Sequence, residues 1–237
     1  MRTILAPLRR NSRGFTLVEI MISVTIIGLT SIGIIGFLRQ GLKMYYADRA
    51  RLMINRDIRT FTDKIDTDAV DANFFCLYPS FATTYNGSGG TATDAAVADG
   101  QVGDFLVLVF VLPKNTSGVS LIYQIVGYYR EVTNTTLNTG PVHRFSVDLS
   151  ANPVDVTSAP MYSILATYVT GSASSYPVVT QLAQGLATPS PSVTPALFYN
   201  FQNRSVMVNA QISESLSENG LTTTAGNTYN FSVSPRG

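Results

Sequence analysis

The chain of 237 residues holds one cysteine, Cys76, and one histidine, His143. A single thiol cannot close an intrachain disulfide, and these two residues give neither a Cys–His pair in local spacing nor a His/Cys metal cluster. Charge is scarce as well, at 13% of residues against 45% hydrophobic. That balance suits one sizeable folded domain beyond an apolar segment. Proline is absent from Arg39 to Ile65, and glycine is absent from that run after Gly41, so nothing there interrupts a helix. The nearest approach to a metal motif, DTDAVDAN at Asp66 to Asn73, lacks the mid-loop Gly and terminal Glu of a calcium hand and reads as helix-end acids. Asp94, Asp99 and Asp104 are a weaker calcium candidate. No metal, cofactor or catalytic residue is expected. Cys76, among the aromatics of FFCLYPSF, reads as a buried structural thiol, and His143, beside Arg144, as a surface residue at a strand start.

What the chain does have is a run of 24 residues, Phe15 to Leu38, dominated by Ile, Leu, Val, Phe and Gly. A helix needs about 20 such residues to span a bilayer core. Arg2, Arg9, Arg10 and Arg13 precede the run with no acid among them, which keeps the leader on the cytoplasmic side. A secretory signal has a shorter apolar core followed by a small-residue cleavage site. Here the expected processing point is the polar-to-apolar border itself, at Gly14. Inside the run stands one carboxylate, Glu19.

Residues Arg9 to Glu19, RRNSRGFTLVE, with the apolar run behind them, resemble the class III signal of type IV prepilins and type II secretion pseudopilins. The match covers Arg9 to Leu38 and keeps the Gly, the aromatic, the Thr, the Leu and the acid in the family's order. The resemblance implies cleavage between Gly14 and Phe15 by a prepilin peptidase, N-methylation at Phe15, and assembly through Thr16 and Glu19. It implies as partners other pilins or pseudopilins and an inner-membrane assembly platform. The subunit would sit as a single-pass inner-membrane protein with a periplasmic C-terminal domain before entering a pilus or pseudopilus.

A charge inside a membrane costs about 2.5–3.5 kcal/mol on insertion scales and usually has a partner. For Glu19 the candidate is the ammonium that cleavage creates at Phe15, on the same or a neighbouring subunit. The alternative is a membrane-edge carboxylate reaching the headgroups.

Apolar residues at Leu42, Tyr46, Met53, Ile54, Ile58, Phe61 and Ile65 recur at helical spacing. They predict that the helix continues to about Asp66, roughly 78 Å of spine at 1.5 Å per residue. Its other face mixes Arg49, Arg51, Arg56 and Arg59 with Asp57, Asp63 and Lys64; Arg59 and Asp63 are spaced to pair. The aspartates break up the positive field, and taking the leader's four arginines from the 16 basic side chains leaves 12 against 15 acidic. Nucleic-acid binding is therefore not expected. Many pilins kink this spine at a proline, where this chain has Gly36. Gly28, Gly33 and Gly36 either permit local unwinding or allow close helix packing.

Beyond Asp66 the pattern changes to strands: Asp104 to Leu112, Leu121 to Val132, His143 to Leu149, Met161 to Val169, Ala196 to Gln202, Arg204 to Ile212 and Thr228 to Ser234. Intervals too short for crossover helices predict a mostly antiparallel sheet against the end of the spine, an α+β fold. Residues 82–103 and 171–195 read as long low-complexity loops. The expected organisation is a leader at 1–14, a membrane or filament-core half-helix at 15–38, an amphipathic half at 39–66 and a β-rich domain at 67–237. The missing disulfide, Gly36 and the large β domain favour a minor pilin or J-type pseudopilin over a major pilin. The function expected is that of a structural subunit of a type IV pilus-like or type II secretion filament, not an enzyme. The alternative is an adhesion or ligand- or DNA-binding module carried on the loops.

Overall fold

A computed structural model describes residues 14–81, 96–113, 118–131, 140–169, 179–187, 196–218 and 221–236. Helix α1 runs without a break from Leu17 to Asp71, 55 residues. It passes the expected end by five because DTDAVD continues the helix: Ala72 N–H still donates to Asp68 and Ala69 C=O. Asn73 then leaves the helix, its N–H bonded to Val109 C=O and its Oδ1 accepting Val111 N–H at 2.7 Å.

The chain forms two compact units, Met1–Tyr46 and Ala47–Gly237. In the first, every described side chain from Phe15 to Tyr45 is exposed. In the second, Ala50, Ile54, Phe61, Ile65 and Ala69 repeat at helical spacing and are buried in the main core.

Ten strands make one sheet, antiparallel at every pairing: β1 Phe74–Tyr78, β2 Val102–Gly103, β3 Phe105–Leu112, β4 Leu121–Arg130, β5 Gly140–Asp148, β6 Val154–Asp155, β7 Val179–Ala187, β8 Phe198–Phe201, β9 Ser205–Glu218 and β10 Leu221–Val233. The hydrogen-bonded order is β1-β3-β4-β5-β7-β9-β8-β2, with β10 beside β9 and β6 beside β4. Only Asp104 separates β2 from β3, so the path leaves along β3 and returns to the same stretch of chain at β2. The sheet thus curls round the Ala50–Ala69 face of α1.

Strand β3 shows why its sequence is apolar without alternation. Leu106, Leu108 and Phe110 face α1, while Phe105, Val107 and Val109 belong to a second core on the sheet's other side. A strand buried on both faces reads as a continuous hydrophobic run. In β4, the ring of Phe145 occupies the space where a Cβ on Gly127 would stand, so glycine is what lets the aromatic lie on the neighbouring strand.

Three expectations change. MYSILATYV is not a strand but a helix, α2, Met161–Val169. Pro160 starts it, accepting from Ser163 and Ile164 N–H, and Met161, Ile164 and Leu165 cover the second core, a 3.6-residue spacing hidden beneath strand-like composition. The predicted loop at 171–195 contains strand β7, which pairs with β5 and β9; its other residues, 171–178 and 188–195, lie outside those described. In the predicted loop at 82–103, residues 82–95 lie outside those described. Residues 96–103 are pinned: Val97 N–H bonds Leu77 C=O, Gly100 N–H bonds Asn200 C=O, and β2 pairs with β8. The two-residue strand β6 and the five-residue strand β1, FFCLY, were not expected as strands.

Candidate functional site

Gly14, Phe15 and Thr16 precede α1 and are exposed. Thr16 caps it: its Oγ1 accepts the Glu19 N–H at 3.3 Å and its carbonyl accepts the Ile20 N–H at 3.2 Å. Thr16 to Glu19 is a Thr-x-x-Glu sequence, the signature of a helix N-terminus. Glu19 therefore stands in the first turn, where backbone N–H groups are unsatisfied and a negative charge is favourable. Its side chain is exposed.

The hydroxyls that interrupt the apolar run turn back onto the helix. Ser23 donates to Glu19 C=O at 2.8 Å, Thr25 to Met21 C=O at 2.6 Å, Thr30 to Ile26 C=O at 2.9 Å and Ser31 to Ile27 C=O at 2.7 Å. Satisfying polar groups within the segment is what a hydrocarbon environment demands. This helix is long and apolar enough to cross a membrane by length and composition. It continues without a break through Gly28, Gly33 and Gly36, where an added Cβ would meet nothing within 4 Å. No contact among the described residues requires those glycines.

The second unit carries two buried ion pairs that the sequence patterns do not announce. Asp68, one of the expected helix-end acids, points inward and is only 8% exposed. It accepts the Tyr128 hydroxyl from β4 and Arg144 Nε from β5 at 2.7 Å, with Lys64 Nζ 3.6 Å away on the helix. Burial first, then the carboxylate beside it, pushes the Tyr128 phenol well above its usual range, so the hydroxyl remains a donor. This cluster fastens α1 to the sheet. At the β2–β3 corner, Asp104 receives Arg130 Nη2 at 2.7 Å and Leu197 N–H at 2.7 Å, while its own N–H bonds Pro79 C=O. Burial pushes the Asp104 carboxyl upward against the opposing pull of Arg130 and the Leu197 N–H.

Of the three acids of the calcium candidate, Asp104 holds Arg130, Asp99 accepts Gln202 N–H at 2.5 Å, and Asp94 lies outside the described residues. Among the described residues no group of three or more His, Cys, Asp or Glu side chains could hold a metal. His143 is not a surface residue. Its side chain is 15% exposed, stacks on Tyr129 and places Nε2 3.2 Å from a Glu131 carboxylate oxygen, because strand alternation turns it toward the second core. Arg144, beside it, faces Asp68. Asp57, expected on the charged outer face, is largely covered, its side chain 14% exposed, and lies 3.3 Å from Arg56. Cys76 is half-buried on β1, and burial pushes its thiol up to about 11, partly offset by a hydrogen bond with Tyr78.

Compared with known proteins, residues 9–35 match the family model of the prokaryotic N-terminal methylation motif. No curated protein and no solved structure matches the chain. The matched stretch includes Gly14, the Thr16 cap and Glu19, and runs into the exposed apolar helix. The chain carries the prokaryotic N-terminal methylation motif, the class III signal of type IV pilins and pseudopilins.

Proposed function

We propose that this chain is a minor pilin or pseudopilin, a structural subunit of a type IV pilus-like or type II secretion filament. The observation that carries the reading is the coincidence of the matched motif, residues 9–35, with a helix start at Leu17. The Gly14–Phe15 peptide lies outside the helix and exposed, open to a peptidase. In this reading residues 1–14 are a cytoplasmic leader removed by a prepilin peptidase, and Phe15 becomes the N-methylated amino terminus. Residues 15–38 anchor the subunit in the inner membrane and later form filament core. Residues 39–66 continue the helix, and 67–237 are the periplasmic domain. An assembly platform moves the subunit between the two states.

Glu19 has two physical roles here. It offsets the positive end of its own helix, and it meets the ammonium of a neighbouring subunit's Phe15, which compensates the desolvation of both ions. Gly28, Gly33 and Gly36 let neighbouring helices approach closely. Proteins bearing this signal are in general structural rather than enzymatic.

Intact mass and N-terminal sequencing of the membrane-extracted protein test the processing. The expected mature chain starts at Phe15 with one added methyl group; a chain that retains Met1, or starts beyond Phe15, refutes it. Glu19→Ala is expected to be cleaved yet absent from filaments.

A further inference from the structure

Two of the sheet's edge strands, β1 and β10, are built differently. Strand β1 is five residues long, and neighbouring chain closes over it: Val97 N–H bonds Leu77 C=O, and Asp104 N–H bonds Pro79 C=O. Short length and a covering segment are ordinary ways to keep an edge from recruiting another strand. Among the described residues strand β10 has neither. It is 13 residues long, LTTTAGNTYNFSV, and among the described residues it pairs with β9 alone. It contains no Lys, Arg, Asp, Glu or Pro, the residues that otherwise blunt an edge.

Its inner face is committed. Tyr229, Phe231 and Val233 pack into the main core, the two rings against Phe61. Its outer face, at Gly226, Thr228, Asn230 and Ser232, is exposed and neutral. Both strand ends of this stretch are fixed, at one side by the ladder to β9 from Asn227↔Ile212 to Val233↔Val206, and beyond it by Arg236 N–H on Ala72 C=O. The edge is thus held extended in advance, which reduces the ordering cost of adding a strand.

We propose that β10 is a strand-addition site for an extended, uncharged segment of a neighbouring subunit in the filament. Every second residue of an edge strand turns its N–H and C=O away from the existing partner, so the ligand is recognised chiefly by its backbone, as in β-augmentation. A neutral Thr, Asn and Ser face disfavours a charged strand, whose ions would lose water without gaining a partner. This inference rests on the filament reading above.

Hydrogen exchange on the full chain tests it, comparing the detergent-solubilised subunit with filaments sheared from cells. In filaments, the amides of residues 226–233 are expected to exchange about tenfold or more slowly than in the free subunit. Thr228→Lys with Asn230→Lys, both exposed, is expected to keep the circular dichroism and membrane insertion of the wild type but to enter filaments about fivefold less. Thr228→Ser with Asn230→Gln is expected to enter normally. Equal exchange in the two states, or undiminished entry of the lysine variant, overturns the strand-addition site while leaving the filament reading intact. Absence of the wild-type chain from filaments overturns that reading, and this inference with it.

Discussion

Truncating Asp68 to alanine removes the acceptor shared by Tyr128 and Arg144. The phenol is then buried without a partner, and Arg144, its side chain only 16% exposed, keeps a charge that nothing compensates. Breaking a buried pair from one side costs about 3–5 kcal/mol, most of it the stranded partner. Lys64 is 43% exposed and solvated by water once released, so the lower half of that range applies, about 3–4 kcal/mol. For a domain of this size each kcal/mol moves the midpoint by roughly 2–4 °C, giving a drop of about 6–16 °C. The assay is thermal or urea unfolding of the detergent-solubilised full chain, followed by circular dichroism. Asp66→Ala, two residues away and exposed, is the control, with an expected change within about 0.5 kcal/mol. Asp68→Ala combined with Arg144→Met should lose less than the sum of the single changes, because the second substitution removes the stranded charge. If Asp68→Ala is no worse than Asp66→Ala, or the double variant is strictly additive, the cluster does not fasten helix to sheet.

With its thiol at about 11 rather than 9.0, Cys76 should react with a thiolate-directed alkylating agent about 100-fold more slowly at pH 8 in the folded protein than in urea; equal rates would refute the burial. The folded thiol holds its proton more tightly than the unfolded one, so from about pH 9 to 11 its contribution to stability is lost as pH rises, visible as a falling unfolding midpoint. Gly127→Ala forces the new methyl into the Phe145 ring and is expected to cost about 1–3 kcal/mol, with partial rescue by Phe145→Leu in the same unfolding assay. Thr16→Ala removes the helix cap and should destabilise the first turn by about 1 kcal/mol, read as faster amide exchange at Glu19 and Ile20; unchanged exchange would show that the cap contributes nothing.

Much of the architecture could be read from pattern because pattern caused it. The apolar run and helical spacing specify α1, and DFLVLVFVL reads as a strand from its β-branched and aromatic content, while its burial on both faces emerges only in the structure. Two readings failed where local composition competed with a longer-range demand. MYSILATYV has the β-branched and aromatic content of a strand, but the outer face of β3, β4 and β5 needed a cover, and Pro160 starts a helix there. Strand β7 was hidden in a Ser, Thr and Pro-rich stretch because its partners, β5 and β9, lie on either side of it in sequence and supply the pairing. The Gly14, Phe15 and Glu19 signal is contiguous, hence visible at once. The Asp68 cluster joins residues 60 and 76 positions apart, and nothing in the sequence around Asp68 names its distant partners. The nearest clue was place: Asp68 lies three residues after Ile65 on the buried stripe.

The corner at Asp104 sets a timetable for making this protein. Its carboxylate must find the Leu197 N–H, 93 residues later, and β2 must find β8 in the same region. Until about residue 201 has left the ribosome, β2 has no partner and the ring round α1 stays open on one side. Contacts so distant in sequence slow folding. The seam that completes the ring closes almost last, so a nascent chain spends most of its synthesis with the Ala50–Ala69 face of α1 incompletely enclosed.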